Sequence, residues 1–219
     1  MTKARVIETD SGIQGEMTVA QYDEMERIMR DRGWMETKAL LGSGIIAGTA
    51  LEIGHGPGYL GLEWLKFTTN TKVVGLDISP DMQKMAQKNA DEYGFADRTE
   101  YHLGNCDDLP FEENTFDAVF TNGSLHEWSK PQQAFNEIWR VLKPGGKYYV
   151  SDLRRDMSAF VRGFLWLGTK PAAIRPGLLT SIGAAYTPEE LTEMIKETAL
   201  KSGIVKGNAI GLELIGEKA

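Results

Sequence analysis

Leu51-Glu52-Ile53-Gly54-His55-Gly56-Pro57-Gly58 is the stretch on which the fold turns. The run Thr49–Ile53 is short, apolar and closed by glycines, the pattern of a strand buried on both faces. Three glycines at alternate positions then let the backbone turn sharply and approach a ligand without interference from a Cβ. From Tyr59 to Lys66 a helical period resumes. The loop therefore opens a helix whose free N–H groups and positive dipole end face the same point. Glu52, just before the first glycine, suits a ligand that carries a cationic amine. The overlapping run Gly56-Pro57-Gly58-Tyr59-Leu60-Gly61 also satisfies the dinucleotide pattern GxGxxG, so the loop alone leaves the cofactor open.

Reading outward, the period alternates. Lys72–Asp77 is a second strand, and Pro80–Tyr93 a helix with Ser79 as cap and Pro80 at its first position. Asp77 ends that strand about 20 residues past the glycine loop, where an acid accepts both hydroxyls of a ribose. NAD and S-adenosylmethionine both carry such a ribose, so this spacing does not separate them. Thr99–Leu103 and Phe116–Thr121 are further strands, Pro131–Leu142 is a helix, and Tyr148–Ser151 is a fifth strand. Lys143-Pro144-Gly145-Gly146 stops the helix before it, because proline cannot continue one and glycine permits the turn. Strands separated by helices predict an α/β, Rossmann-like and mostly parallel sheet, with helices on both faces. Two more strands, Ile204–Asn208 and Gly211–Glu217, bring the sheet to seven.

The flanks differ. Residues 18–32 read as a helix with Thr18 as cap and Tyr22, Met25, Ile28 and Met29 on one face, followed by a shorter helix from Met35 to Leu41. After the fifth strand, Met157, Phe160, Val161, Phe164 and Leu165 fall at helical spacing, and a loop holding Pro171 and Pro176 follows. Thr187-Pro188-Glu189-Glu190 opens a last helix to about Leu200. One domain over 1–219 is expected: a helical N-terminal cap at 1–45, a cofactor-binding core at 46–152, a lid insertion after strand five at 153–186, and the last helix and strands at 187–219.

Composition limits the partners. A net charge of −7 disfavours a sequence-independent grip on phosphate backbone, so no nucleic acid is expected. Cys106 is the only cysteine, which rules out an internal disulfide and an all-thiolate metal site. The three histidines lack metal-ligand spacing, so no metal is expected. Met1–Gly15 lacks the apolar core of a signal peptide, and no stretch of about 18 apolar residues exists. A cytoplasmic protein without integral membrane contact is the expectation.

Five runs in order now carry a resemblance. They are the glycine loop with Glu52, then Gly75-Leu76-Asp77-Ile78-Ser79, Gly104-Asn105-Cys106-Asp107-Asp108-Leu109-Pro110-Phe111, Phe116-Asp117-Ala118-Val119, and Arg140-Val141-Leu142-Lys143-Pro144-Gly145-Gly146. Together, over about residues 49–152, they resemble class I S-adenosylmethionine-dependent methyltransferases, in particular the small-molecule group with the ubiquinone/menaquinone-type enzymes. The resemblance implies S-adenosyl-L-methionine as cofactor and methyl transfer to a small-molecule acceptor. It implies that Glu52, Gly54, His55, Gly56 and Gly58 hold the methionine part, and that Asp77 binds the ribose while Ile78 packs on the adenine. Asn105, Cys106 and Asp107 would meet the adenine edge, and Asn122 would border the transferred methyl. Many relatives carry Asp where this chain has Asn105.

In-line transfer from a sulfonium needs donor and acceptor held in near-attack geometry rather than a protein nucleophile. If the acceptor loses a proton, a base is needed. His126, in Asn122-Gly123-Ser124-Leu125-His126-Glu127-Trp128 after strand four, has the right kind of side chain and is the candidate base; a structural place in the turn is the competing reading. Tyr22, Trp34, Trp128, Phe160 and Tyr186 are candidates to line the acceptor pocket. Arg154, Arg155, Arg162, Lys170 and Arg175 give the insertion a basic bias that fits an anionic acceptor, a membrane surface or a solvated face. A homodimer through the lid is a further expectation. Two alternatives stay open: a nicotinamide-dependent oxidoreductase, and a non-catalytic S-adenosylmethionine-binding protein.

Overall fold

The computed structural model describes residues 4–6 and 15–219, with the side chains of Glu16 and Met17 outside that description. Seven strands form one sheet: β1 (Thr49–Ile53), β2 (Lys72–Asp77), β3 (Thr99–Leu103), β4 (Phe116–Asn122), β5 (Leu142–Leu153), β6 (Ile204–Gly207) and β7 (Gly211–Glu217). Their order is β3-β2-β1-β4-β5-β7-β6. β1 through β5 pair in parallel, whereas β7 runs antiparallel to both β5 and β6. The sheet is thus mixed, with the one reversed strand set just inside its edge. Chain order reverses at β1, which pairs with β2 on one side and β4 on the other. At such a switch point the crossovers leave in opposite directions and a crevice opens beyond the carboxyl ends.

The helices are α1 (Glu16–Asp31), α2 (Thr37–Gly42), α3 (Tyr59–Lys66), α4 (Pro80–Tyr93), α5 (Pro131–Val141), α6 (Ala159–Gly168), α7 (Arg175–Ala184) and α8 (Pro188–Ile195). Strand alternation sorts the core into two layers. On one face Leu51, Ile53 and Val150 pack with Phe135 and Ile138 of α5 and Leu191 of α8. On the other, Ala50, Val73 and Phe120 pack with Leu40 of α2 and Leu60 and Trp64 of α3. Trp64 is fully buried because its Nε1–H finds a partner, the carbonyl of Ile45 at 2.7 Å.

Several boundaries depart from the sequence expectation. Thr18 is not a cap: α1 starts at Glu16 after Gly15, which has φ 91°, and Thr18 lies inside the first turn. Strand five begins at Leu142 rather than Tyr148. The Pro144-Gly145-Gly146 turn is absorbed into it as an irregularity, where the register on β4 shifts between Phe116 and Ala118. Pairing continues there because Gly145 donates its N–H to the Lys218 carbonyl at 2.7 Å and Lys218 donates to Gly146 at 2.8 Å. The last helix stops at Ile195 and the chain reaches Leu200 by turns. Its start was legible: Thr187 and Glu190 form a reciprocal capping box. Among the described residues no helix is long and apolar enough to cross a membrane.

Candidate functional site

A cleft open to solvent lies at the carboxyl ends of β1, β2, β3 and β4. Its floor is the glycine loop. Gly54, Gly56 and Gly58 have φ of 63°, 51° and 85°, conformations that L side chains rarely adopt. At Gly54 space is lacking too, since a Cβ there would sit 2.6 Å from the Cβ of Ser124. The turn after β4 therefore rests directly on the loop after β1, and the two strand ends share one opening.

Each strand end brings its own group. At the tip of β2, one Asp77 oxygen accepts the Gly56 N–H at 3.0 Å and the other the Ser79 N–H at 2.9 Å. Ser79 in turn caps α4 by accepting the Met82 N–H at 3.2 Å. A carboxylate held by two backbone donors keeps its remaining lone pairs fixed toward the cleft. Ile78 lines the cleft beside it, partly exposed. After β3 come Gly104, Asn105 and Cys106, all in the lining, with the Asn105 side-chain oxygen accepting the Asp107 N–H at 3.3 Å. Asp107 turns away, to Lys130 at 3.2 Å. After β4, Asn122 accepts a hydrogen bond from the Ser151 hydroxyl at 2.9 Å, and Trp128 donates its ring N–H to Ser124 at 3.1 Å. Asn122, Gly123, Ser124, Glu127 and Trp128 all line the cleft. Tyr22 and Glu26, one turn apart on α1, form the opposite wall.

The electrostatics are unusual. Glu52 is buried, its Oε2 has no hydrogen-bond partner, and burial together with Glu26 holds its carboxyl well above the usual range. The Gly61 N–H in the first turn of α3 acts the other way. Gly61 leaves room for the carboxyl: a Cβ there would fall 2.4 Å from Glu52 Oε2 and push it aside. Glu26 is pushed up to about 8 by burial and by the charges of Asp23 and Asp77. Among the described residues no ion pair joins Glu26, Glu52 or Asp77 to a cation. His55 sits beneath, its ring centroid 4.8 Å from that of Tyr101, with Nδ1 donating to the Gly56 carbonyl at 2.7 Å. Burial lowers its pKa against the pull of Asp77, and its Nε2 also lacks a partner. Three mutually repelling carboxyls around one glycine loop, Glu26 and Asp77 in the cleft and Glu52 behind it, fit a cationic ligand.

The structure does not bring every expected residue to the cleft. Gly54, Gly56, Asp77, Ile78, Asn105, Cys106 and Asn122 line it, as do Tyr22 and Trp128. Glu52, His55 and Gly58 support the loop from behind, and Asp107 faces α5. His126 is only 4% exposed and outside the lining. Its Nδ1 lies 2.9 and 3.0 Å from the two oxygens of buried Asp152, and its backbone N–H donates to the same carboxylate at 2.7 Å. Tyr186 is buried under the Arg5 guanidinium, 4.2 Å from its ring centroid, while Trp34 (54%) and Phe160 (84%) face solvent. Glu26 and Glu127 join the lining as well, although the sequence alone suggests a solvated or helix-capping charge for Glu127. Apolar periodicity selected Tyr22, Met25, Ile28 and Met29 on α1 and passed over the acid one turn after Tyr22.

Known proteins share the central part of this chain. The methyltransferase domain family matches residues 51–150, from the strand before the glycine loop to β5. Residues 51–150 are thus similar to the methyltransferase domain, and the resemblance is to class I, S-adenosylmethionine-dependent enzymes. The chain is similar to the demethylmenaquinone methyltransferase of Symbiobacterium thermophilum, 30% identical over 165 residues, which are 67% of this chain and 66% of that one. It is also 36% identical over 141 residues to the biotin biosynthesis bifunctional protein BioHC of Teredinibacter turnerae, covering 61% of this chain and 24% of that protein. The chain thus spans a quarter to two thirds of the length of these relatives. A crystal structure of a SAM-dependent methyltransferase from Aquifex aeolicus superposes with TM-score 0.64 at 19% identity, over 83% of this chain and 88% of that one, which establishes the shared fold.

Proposed function

We propose that the protein transfers a methyl group from S-adenosylmethionine to a small organic acceptor bound in the same cleft. The observation that carries this is the meeting of Glu26, Glu52 and Asp77 around the glycine loop, unneutralised by any described cation. A ligand with a sulfonium and an ammonium relieves that repulsion; NADH, which brings two phosphates, does not. Bound S-adenosylmethionine supplies an electrophilic methyl on sulfur. The chain's residues do the holding. Asp77 takes the ribose hydroxyls, Ile78 and Cys106 flank the adenine, and Asn105 offers its amide to the base edge. Glu26 faces the cationic end, and Glu52 stiffens the loop through Gly61.

In this account His126 positions rather than transfers a proton. Asp152 holds its ring, and the turn it occupies carries Glu127 and Trp128 into the lining, beside Tyr22. Glu127, whose Oε1 is 3.9 Å from His126 Nε2, is then the candidate base for an acceptor that loses a proton. Of the segment 1–45, the described residues from 15 onward act as a cap, and 153–186 as a lid over one domain. The relatives named for demethylmenaquinone make a quinone-type ring the first acceptor to try, in a cytoplasmic setting.

Calorimetry tests the core claim. S-adenosylmethionine and S-adenosylhomocysteine should bind and NADH should not, with the binding weakened about a hundredfold in Asp77→Ala. NADH binding alone, or none of the three binding, would sink it.

A further inference from the structure

Helix α6 is the least covered apolar element among the described residues. None of its ten residues is fully buried, although Phe160, Val161, Phe164, Leu165, Trp166 and Leu167 make it mostly hydrophobic. Phe160 (84% exposed), Phe164 (63%) and Leu167 (66%) stand at i, i+4 and i+7, so they share one stripe. Val161 and Leu165 turn inward and are half-buried. Trp166 borders the stripe, stacked under the Arg175 guanidinium at 4.6 Å from its centroid. Isolated exposed apolar side chains need no explanation, but a contiguous patch on one short helix does.

Charge says what covers it. From Met157 to Pro188 the chain carries Arg162, Lys170 and Arg175 and not one acid; all 31 acidic residues lie elsewhere in a protein of net charge −7. Two nearby cations are already neutralised, Arg154 by Asp156 and Arg155 by Glu190. Arg162 and Lys170 are exposed and have no acidic partner among the described residues. Arg175 is spent on the Thr169 and Leu167 carbonyls, yet keeps its charge at the end of α6. A second copy packed here would meet the same three cations with no acid to answer them. A ten-residue helix, about 15 Å long, also offers less than the roughly 800 Å² per partner that a stable interface buries. Nor can it span a hydrocarbon core of about 30 Å. Apolar and aromatic side chains on one face, flanked by lysine and arginine, suit the boundary of an anionic bilayer.

We propose that α6 docks flat on an anionic lipid surface, with Phe160, Phe164 and Leu167 in the acyl boundary and Arg162, Lys170 and Arg175 at the headgroups. The acidic remainder is repelled by that surface, so only this face can approach it. Ala172–Ile174, just beyond α6, packs on α1, and α1 carries Tyr22 and Glu26 of the cleft wall. Docking therefore brings the cleft near the bilayer, where an apolar acceptor would partition.

The full chain mixed with phosphatidylcholine vesicles, with and without phosphatidylglycerol, tests this by flotation. Binding to the anionic vesicles alone, weakened by salt, is expected. Phe160→Asp with Phe164→Asp should abolish it. Arg162→Gln with Lys170→Gln should lower partitioning roughly twenty-five-fold, since each cation near an anionic surface contributes about fivefold. No cofactor or acceptor is present, so failure here leaves the proposed methyl transfer standing. No flotation with phosphatidylglycerol, unchanged flotation of either double variant, or a solution dimer dissolved by Phe160→Asp would each overturn the proposal.

Discussion

α5 and α6 are nearly the same length, 11 and 10 residues, and both carry a phenylalanine near the first turn. In α5, Ala134, Phe135, Ile138 and Val141 are buried against the sheet. In α6 no residue is. The two helices sit at opposite ends of β5, so the contrast lies in what the chain lays over them. β4, β5 and α8 close over α5, whereas α6 leaves the sheet after Leu153 and packs, among the described residues, mainly on α7. An apolar stripe thus records that burial is favourable, without recording which surface provides it.

Substitutions can break that contrast. Phe135→Ala should cost about 3–5 kcal/mol in urea unfolding, the usual cost of emptying a core aromatic site. A loss below about 1 kcal/mol would mean the α5 layer is looser than its burial implies. His126→Ala lies where the covered half meets the flank; it takes the ring from Asp152 but leaves that carboxylate the backbone N–H groups of residues 126 and 153. About 2 kcal/mol should be lost, the cost of removing a buried hydrogen bond to a charged group. A variant of native stability that is catalytically dead would instead restore His126 as the base.

Within the covered half, Asp77→Ala should weaken S-adenosylhomocysteine roughly a hundredfold with little unfolding, since two charge-assisted hydrogen bonds to the ribose are lost. Glu26→Gln tests the flank's share of the same site. In the empty protein Glu26 titrates near 8, above the ordinary 4.5. A carboxyl raised in the folded state stabilises most at low pH, and that stability drains away as pH climbs from about 4.5 to about 8. A cationic ligand needs the ionised form, so affinity should rise with pH and level off above about 8. Glu26→Gln should flatten both curves and cost about tenfold in affinity at pH 9, the size of one exposed charge-assisted contact. The smallest effect belongs to Phe160→Ala, expected within about 0.5 kcal/mol of wild type in unfolding, as for most exposed positions.

The sheet was legible because its signals are local. Thr49–Ile53, the alternate glycines and Asp77 sit within 29 residues of one another, and each strand end follows from its own turn chemistry. Strand five was read short because proline and two glycines look like a terminus. Only the distant Lys218 backbone, by pairing with Gly145 and Gly146, makes them part of a strand. Glu26 was invisible for a related reason. Its meaning depends on Glu52 and Asp77, which lie 26 and 51 residues further along the chain, and apolar periodicity treats an acid on a helix as solvent-facing. Trp34 and Phe160 went the opposite way: aromatic identity suggested a pocket that no neighbour builds around them.

The reversed strand has a consequence during synthesis. β7 is the last strand in chain order yet stands between β5 and β6, which have no direct pairing of their own. A nascent chain that has not yet released residues past 210 holds β5 with a bare edge and β6 with nothing to bind. Such an open edge can pair with another chain. Ribosome-stalled lengths ending before Gly211 should therefore be aggregation-prone, and a few further residues should close the sheet at a stroke.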